Sequence, residues 1–264
     1  MPKRVPTWAR ALLSADAMIG RGRRALEIVR DAILFAGTDE EERVAITEEI
    51  YARELDYRPG GAAFERGLFS WEERALDHPA FPKSGRLLLG GAGGGRELAA
   101  LIARGYGVVA FEPCAALAEA ATGVSPRVIV AGYRDLIACV EGRGPLAELR
   151  EMTFDGIVLG WTSVTYVMPA SRAPLFHAIR ELAPRAPVLA SFWALQDSAA
   201  PVSIFGKIAR SLLGTIPEGA WFAPHAGFGY RIAQSEIERI AHELAYSLAI
   251  VDLGTHPHVL LVPR

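Results

Sequence analysis

The strongest constraint on how this chain folds is a run of glycines set between two short apolar stretches: RLLLGGAGGGRELAALIARGYGVVAFEP, Arg86 to Pro113. Leu87, Leu88 and Leu89 read as a buried strand, and glycine and alanine alone fill positions 90 to 95. Leu98, Leu101 and Ile102 then recur at helical spacing over Arg96 to Arg104, which predicts a helix. Gly105 and Gly107 end it. Val108 to Phe111 reads as a second buried strand, closed by Glu112. Strand, glycine loop, helix and strand in that order make one unit of a parallel α/β sheet, where ligands sit at the carboxyl ends of the strands. The loop presents backbone N–H groups and a helix N-terminus to a ligand. Glu112, at the tip of the second strand, offers an acceptor pair to two vicinal hydroxyls.

The glycine spacing selects among nucleoside ligands. The dinucleotide fingerprint G-x-G-x-x-G fails from Gly91, because position 96 is Arg96, and from Gly90, because position 92 is Ala92. The loop instead satisfies G-x-G-x-G at Gly91, Gly93 and Gly95. With Glu112 downstream, this resembles motif I and the ribose-binding acid of the class I, Rossmann-like, S-adenosylmethionine (SAM) dependent methyltransferases. The resemblance implies SAM as cofactor, held by Gly90, Gly91, Ala92, Gly93, Gly95, Glu112 and Pro113. A glycine turn without ligand, and a nicotinamide or flavin site, are the competing readings of the same residues.

With 264 residues, 51% of them hydrophobic, the chain has material for one large domain with a sizeable core. A net charge of −2 argues against a nucleic-acid partner, which calls for a basic patch. Two cysteines, Cys114 and Cys139, are too few for a disulfide framework and point to a reducing compartment. No apolar run reaches the ~18 residues of a membrane span, and the N-terminus lacks the apolar stretch of a secretion signal. These features predict a soluble, cytoplasmic protein with no membrane contact.

Residues 1–58 read as a helical extension outside the sheet. Leu26, Val29 and Ile33 mark one apolar face, and Gly37 stops that helix. Thr38 with Glu41 forms a capping box for the next, whose apolar face is Ile46, Ile50 and Leu55. The extension is either a lid over the substrate pocket, as in many small-molecule methyltransferases, or a structural appendage. Residues 59–85 form a connector bracketed by glycine and proline, whose centre, Leu68 to Leu76, holds Phe69, Trp71, Glu72 and Glu73, with Ser70 as a helix cap.

Residues 86–264 carry the methyltransferase resemblance. Helices at Ala115–Ala121, Leu136–Val140 and Ser171–Leu182 alternate with strands at Arg127–Val130, Phe154–Gly160 and Pro187–Trp193. That alternation predicts a parallel, doubly wound α/β sheet. Gln196 to Phe228 reads as a long connection holding one helix, Ile204–Leu213. Ser235 then caps a helix to Leu244. Ser247–Leu253 and His258–Val262 are two more strands, joined by the short turn Gly254-Thr255-His256-Pro257. In the methyltransferase fold the last strand enters antiparallel between its neighbours, completing a mostly parallel, seven-stranded sheet.

Three positions depart from the family pattern. Leu89 stands where an acid helps hold the methionine ammonium of SAM. Glu72 or Glu97 is the stand-in, although Glu97 reads equally as a favourable charge in the first turn of its helix, worth a few tenths of a kcal/mol (~0.3). Ala131-Gly132 stands where Gly-Asp contacts the adenine amino group, which leaves Tyr133 or Asp135 for that edge. Gly160-Trp161 follows the fourth strand, among the residues the resemblance places at the cofactor. There, metal-dependent relatives carry acids, and enzymes acting on base or glutamine amines carry Asn-Pro-Pro-Tyr. The resemblance therefore implies no metal and a small-molecule acceptor, methylated by in-line displacement. The connector leads Trp71 over the methionine end of SAM, or buries it as a core anchor.

A catalytic base is not evident in the sequence. His225, in the aromatic segment FAPHAGFGY, is the candidate, with His256 and His258 near the last hairpin. Trp161, Tyr166, Trp193 and Trp221 fall at the same rim, where they line an apolar pocket, cage a cation or belong to the core. The departures also leave open a SAM-binding protein without turnover.

Overall fold

Leu87–Leu89, Val108–Phe111, Ile157–Leu159 and Val188–Ala190 are buried along their whole length. Such runs are satisfied in a parallel sheet covered by helices on both faces. The computed structural model describes residues 26–195, 217–252 and 257–264. It places these runs in β1 (Arg86–Gly90), β2 (Gly107–Glu112), β4 (Gly156–Leu159) and β5 (Val188–Ser191). With β3 (Val128–Val130), β8 (Tyr246–Asp252) and β9 (His258–Pro263) they form a seven-stranded sheet in the order β3-β2-β1-β4-β5-β9-β8. β9 runs antiparallel to both of its neighbours, β5 and β8. The pairs from β3 through β5 are all parallel. Strand order reverses between β1 and β4, and in sheets of this kind ligands bind at the carboxyl ends of the strands beside that reversal.

One face is covered by α4 (Ser70–Leu76), α5 (Arg96–Ala103) and α6 (Ala115–Thr122), through Ala75, Leu76, Leu98, Leu101 and Ala121. The other is covered by α7 (Tyr133–Cys139), α8 (Pro169–Leu182) and α9 (Gln234–Glu243), through Leu136, Phe176, Ile179, Ile237 and Ile240. α4 begins at Ser70 rather than being capped by it: Glu72 Oε2 accepts the Phe69 N–H at 2.6 Å. Ser235 likewise lies inside the first turn of α9, after Ala233.

The chain divides into two compact units, 1–43 with 198–217, and 44–197 with 218–264. In the first, residues 26–37 are helical (α1). Its buried side chains are Ala32 and Phe35, whereas Leu26 and Ile33, read as its apolar face, are 73% and 56% exposed. α2 spans Glu40–Arg53. Its capping box is Asp39 with Glu42, one residue on from the expected pair, and the Thr38 hydroxyl donates back to the Leu34 carbonyl. α2 buries no residue, and Leu55, expected on its apolar face, is exposed. Residues 44–58, grouped with the extension on sequence grounds, lie in the same compact unit as the sheet. The connector holds α3 (Ala62–Glu65) before α4.

Where the sequence suggested a loop up to Phe228, a hairpin forms: β6 (Ala220–Ala223) pairs antiparallel with β7 (Gly227–Tyr230). Gly229 lies opposite Trp221, and a Cβ there would sit 2.4 Å from the indole. Buried Arg172 of α8 anchors the hairpin, donating to the Tyr230 carbonyl at 3.0 Å and to Glu236 of α9 at 2.7 Å. The helix expected at 204–213 and the turn at 254–256 lie outside the described residues. Among the described residues no helix is long and apolar enough to cross a membrane.

Candidate functional site

The glycine loop takes its shape from alternate left-handed residues. Gly91, Gly93 and Gly95 have φ of 68°, 55° and 101°, a region only glycine occupies without strain. The Gly91 and Ala92 N–H groups donate to the Phe111 carbonyl, which folds the loop back over the tip of β2. A Cβ at Gly91 would fall 2.7 Å from Cβ of Ser163, whereas one at Gly93 would meet nothing within 4 Å. Gly93 is the open point of the loop.

Glu112 is cradled by that loop. Its Oε2 accepts the Gly93 N–H at 2.8 Å and its Oε1 accepts the Cys114 N–H at 3.0 Å. The residue is only 6% exposed. Burial pushes its pKa up to about 7, the two amides pull it down, and Glu48 and Glu97 nearby push it up further. Each oxygen has one acceptor position occupied and one left, which suits a pair of ligand hydroxyls. Pro113 is exposed beside it.

The remaining loop residues serve close packing. A Cβ at Gly160 would lie 2.3 Å from the Gly91 carbonyl oxygen, and the Gly160 N–H donates to the Gly90 carbonyl at 2.7 Å. Gly94, which the spacing G-x-G-x-G leaves unconstrained, is pressed against the chain at Tyr57: a Cβ there would fall 1.7 Å from the Tyr57 carbonyl oxygen. The Tyr133 hydroxyl donates to the Gly90 carbonyl at 3.1 Å and lies 2.5 Å from Ser163 Oγ. Asp135 Oδ2 accepts the Gly132 N–H at 2.8 Å at the start of α7. The polar atoms of both residues read as covering an adenine edge thus support the loop and the helix end.

The second half of α2 reaches the carboxyl edge of the sheet. Thr47 Oγ1 accepts the Phe228 N–H at 3.0 Å, and the Cys114 thiol lies 3.5 Å from the Glu48 carbonyl. The Tyr51 and Tyr166 hydroxyls are 2.6 Å apart. From there a chain of rings runs on: Tyr166 edge-on to Trp221, and Trp221 stacked on Trp193 at 4.3 Å and 12°. Three of the four rim aromatics are therefore one group. Burial holds the Tyr51 phenol well above its usual range and pushes Tyr166 up to about 12.

No protein-family model matches the sequence, and no curated protein matches it. Solved structures match its fold. A SAM-dependent methyltransferase from Leishmania major superposes with a TM-score of 0.51 at 14% identity, over 85% of this chain and 84% of that one. DesVI from Streptomyces venezuelae gives 0.51 at 12% identity, over 73% and 89%. An O-methyltransferase family protein from Burkholderia thailandensis gives 0.50 at 12% identity, over 74% and 55%. The chain has the class I SAM-dependent methyltransferase fold.

In this methyltransferase fold the departure at Leu89 and its two stand-ins, Glu72 and Glu97, acquire a physical account. Leu89 is fully buried in the apolar layer with Leu98 and Leu101, where an acid would be desolvated without a partner. Glu72 and Glu97 both bind Arg96, the residue that breaks the dinucleotide pattern. Arg96 makes a bidentate pair with Glu72 at 2.7 Å, approaches Glu97 Oε1 at 2.9 Å and donates to the Gly67 carbonyl at 2.7 Å. Its guanidinium lies over Phe69 at 4.9 Å and Trp161 at 6.0 Å, and Trp71 stacks on Phe69 at 4.6 Å. Any cation cage formed by Trp161 is thus filled by the protein's own Arg96. Nothing local in the sequence announces the Glu72–Arg96 pair.

Among the described residues the candidate histidines lie apart. His225 is exposed at the tip of the hairpin between β6 and β7, and His256 lies outside the described residues. His258 is buried on β9, opposite Ser191 and 6.1 Å from the Trp71 ring. Among the described residues no group of three His, Cys, Asp or Glu side chains is placed to hold a metal ion.

Proposed function

We propose that this protein is a cytoplasmic, SAM-dependent methyltransferase acting on a small molecule by metal-independent in-line displacement. The observation that carries the reading is Glu112: a buried carboxylate joining the tip of β2 to the open point of a left-handed glycine loop, with acceptor positions to spare. The residues that would hold SAM are the loop, Gly91 to Gly95, through its backbone, and Glu112 through the ribose hydroxyls. When bound, the sulfonium supplies an activated methyl group with a neutral leaving group. The protein's contribution is then mainly orientation, which is worth up to ~7–11 kcal/mol. Residues 44–58 would close the site from above, with Tyr57 on Gly94 and Tyr51 on Tyr166. Those two phenols stay neutral at working pH, because burial raises both. They suit hydrogen bonding to an acceptor rather than proton abstraction. The exposed position of His225 gives it no support as a base.

The experiment is transfer from methyl-labelled SAM to a panel of small hydroxyl, amine and thiol acceptors, with and without chelator. Label appearing on one acceptor in both conditions is expected. Tight SAM binding with no transfer to any acceptor would favour the reading without turnover, and loss of transfer with chelator would remove metal independence.

A further inference from the structure

The turn after β4, Gly160 to Ser163, carries the clearest backbone strain in the site. Thr162 has φ 57° and ψ 7°. A β-branched residue is disfavoured there. Strain of this kind persists only where the surroundings over-determine it, and it concentrates at functional sites. Two side chains supply that determination. Glu97 Oε1 accepts the Trp161 N–H at 2.7 Å, and Ser191 Oγ accepts the Thr162 N–H at 2.7 Å. Both acceptors are buried, and they come from different elements, α5 and β5. The same turn is welded to the cofactor loop. Gly160 lies on the Gly91 carbonyl, and Ser163 reaches Tyr133, whose hydroxyl also holds Gly90. A change in the turn therefore moves the loop.

We propose that Glu97 and Ser191 are positioning residues. They hold Trp161 and Thr162 in the left-handed turn, so that the end of β4 meets the glycine loop in a single arrangement before cofactor arrives. The proposal rests on the SAM reading above. It gives Glu97 a role other than direct contact with the methionine ammonium, since its Oε1 is engaged by the Trp161 amide and by Arg96. Fixing the turn during folding removes an ordering cost from the binding step.

The test pairs calorimetric titration of S-adenosylhomocysteine into the full chain with thermal melting of the same samples. Thr162→Gly removes the strain but keeps the N–H that Ser191 accepts. It is expected to melt no lower than the parent and to bind with parental affinity, because both acceptors still hold the turn and glycine takes a positive φ freely. Ser191→Ala, which removes the acceptor for the Thr162 amide, is expected to bind about tenfold more weakly through misplacement of the loop. Glu97→Gln keeps an acceptor for the Trp161 amide and is expected to bind better than Glu97→Ala. If Glu97→Ala does not fold, Ser191→Ala still decides the matter. Parental affinity in Ser191→Ala, or affinity losses that simply follow losses in melting temperature, overturns the proposal. A parent that binds neither SAM nor its demethylated product overturns the cofactor reading and the proposal together.

Discussion

In the ligand-free protein, Glu112→Gln is expected to gain stability relative to the parent as pH rises from 5 to 8. Burial raises the Glu112 pKa from 4.5 to about 7. The folded-state value thus exceeds the unfolded one, so between those two pH values the native state holds a proton that the unfolded state has lost. Stability contributed by this group therefore falls as pH rises, and the loss is complete above about pH 7. The gap, 7 − 4.5, is about 2.5 units, and at 1.36 kcal/mol per unit the cost is about 3 kcal/mol. Glutamine is neutral throughout, so it removes the pH-dependent part; its NH2 cannot accept the Gly93 or Cys114 N–H, a cost that is the same at every pH. For a chain of this size, ~3 kcal/mol corresponds to roughly 6–12 °C in melting temperature. The assay is melting of both proteins across pH 5 to 8. An equal difference at both ends would refute the raised pKa. The same variant is expected to lose SAM affinity by about 1–3 kcal/mol. In the parent, hydroxyls donating to the charged carboxylate lower its pKa, so SAM binding should release protons and tighten as pH rises through about 7.

Three further outcomes are expected. Gly93→Val should weaken SAM binding more than Gly93→Ala, because φ is 55° and a Cβ would project into the open space over the loop; calorimetry giving equal, parental affinities would take the loop out of the site. Arg96→Ala should cost about 3–5 kcal/mol in urea melts, since it strands Glu72 and Glu97 as buried, unpaired carboxylates; a loss under ~1 kcal/mol would mean that they are not charged there. Deleting residues 1–58 should weaken S-adenosylhomocysteine binding more than deleting 1–43, because 44–58 hold the contacts to Tyr166 and Gly94; equal affinities would remove 44–58 from the site.

The sheet was legible because its central strands, four to six residues long, each carry an uninterrupted apolar run. The loop and Glu112 were legible because they are a local motif. Helix starts slipped by one or two residues where a second residue offered the same chemistry, as Asp39 does beside Thr38 and Glu72 does beside Ser70. The β6–β7 hairpin has the look of a loop in sequence because Pro224, Gly227 and Gly229 interrupt it. Gly229 is there for a tertiary reason, the Trp221 ring lying across it. What covers the site was hidden for the same kind of reason. Tyr51 meets Tyr166 across 115 residues, and Glu72 meets Arg96 across 24. No periodicity or spacing rule encodes such pairs.

The most direct measurement is calorimetric titration of the full chain with SAM, S-adenosylhomocysteine and NAD under one set of conditions, beside the Glu112→Ala variant. The expected result is saturable binding of SAM and S-adenosylhomocysteine, no heat from NAD, and SAM affinity weakened in the variant by about 1–3 kcal/mol. Saturable NAD binding with no response to SAM, or a variant that binds SAM as tightly as its parent, would contradict the assignment of the glycine loop and Glu112 as a SAM site.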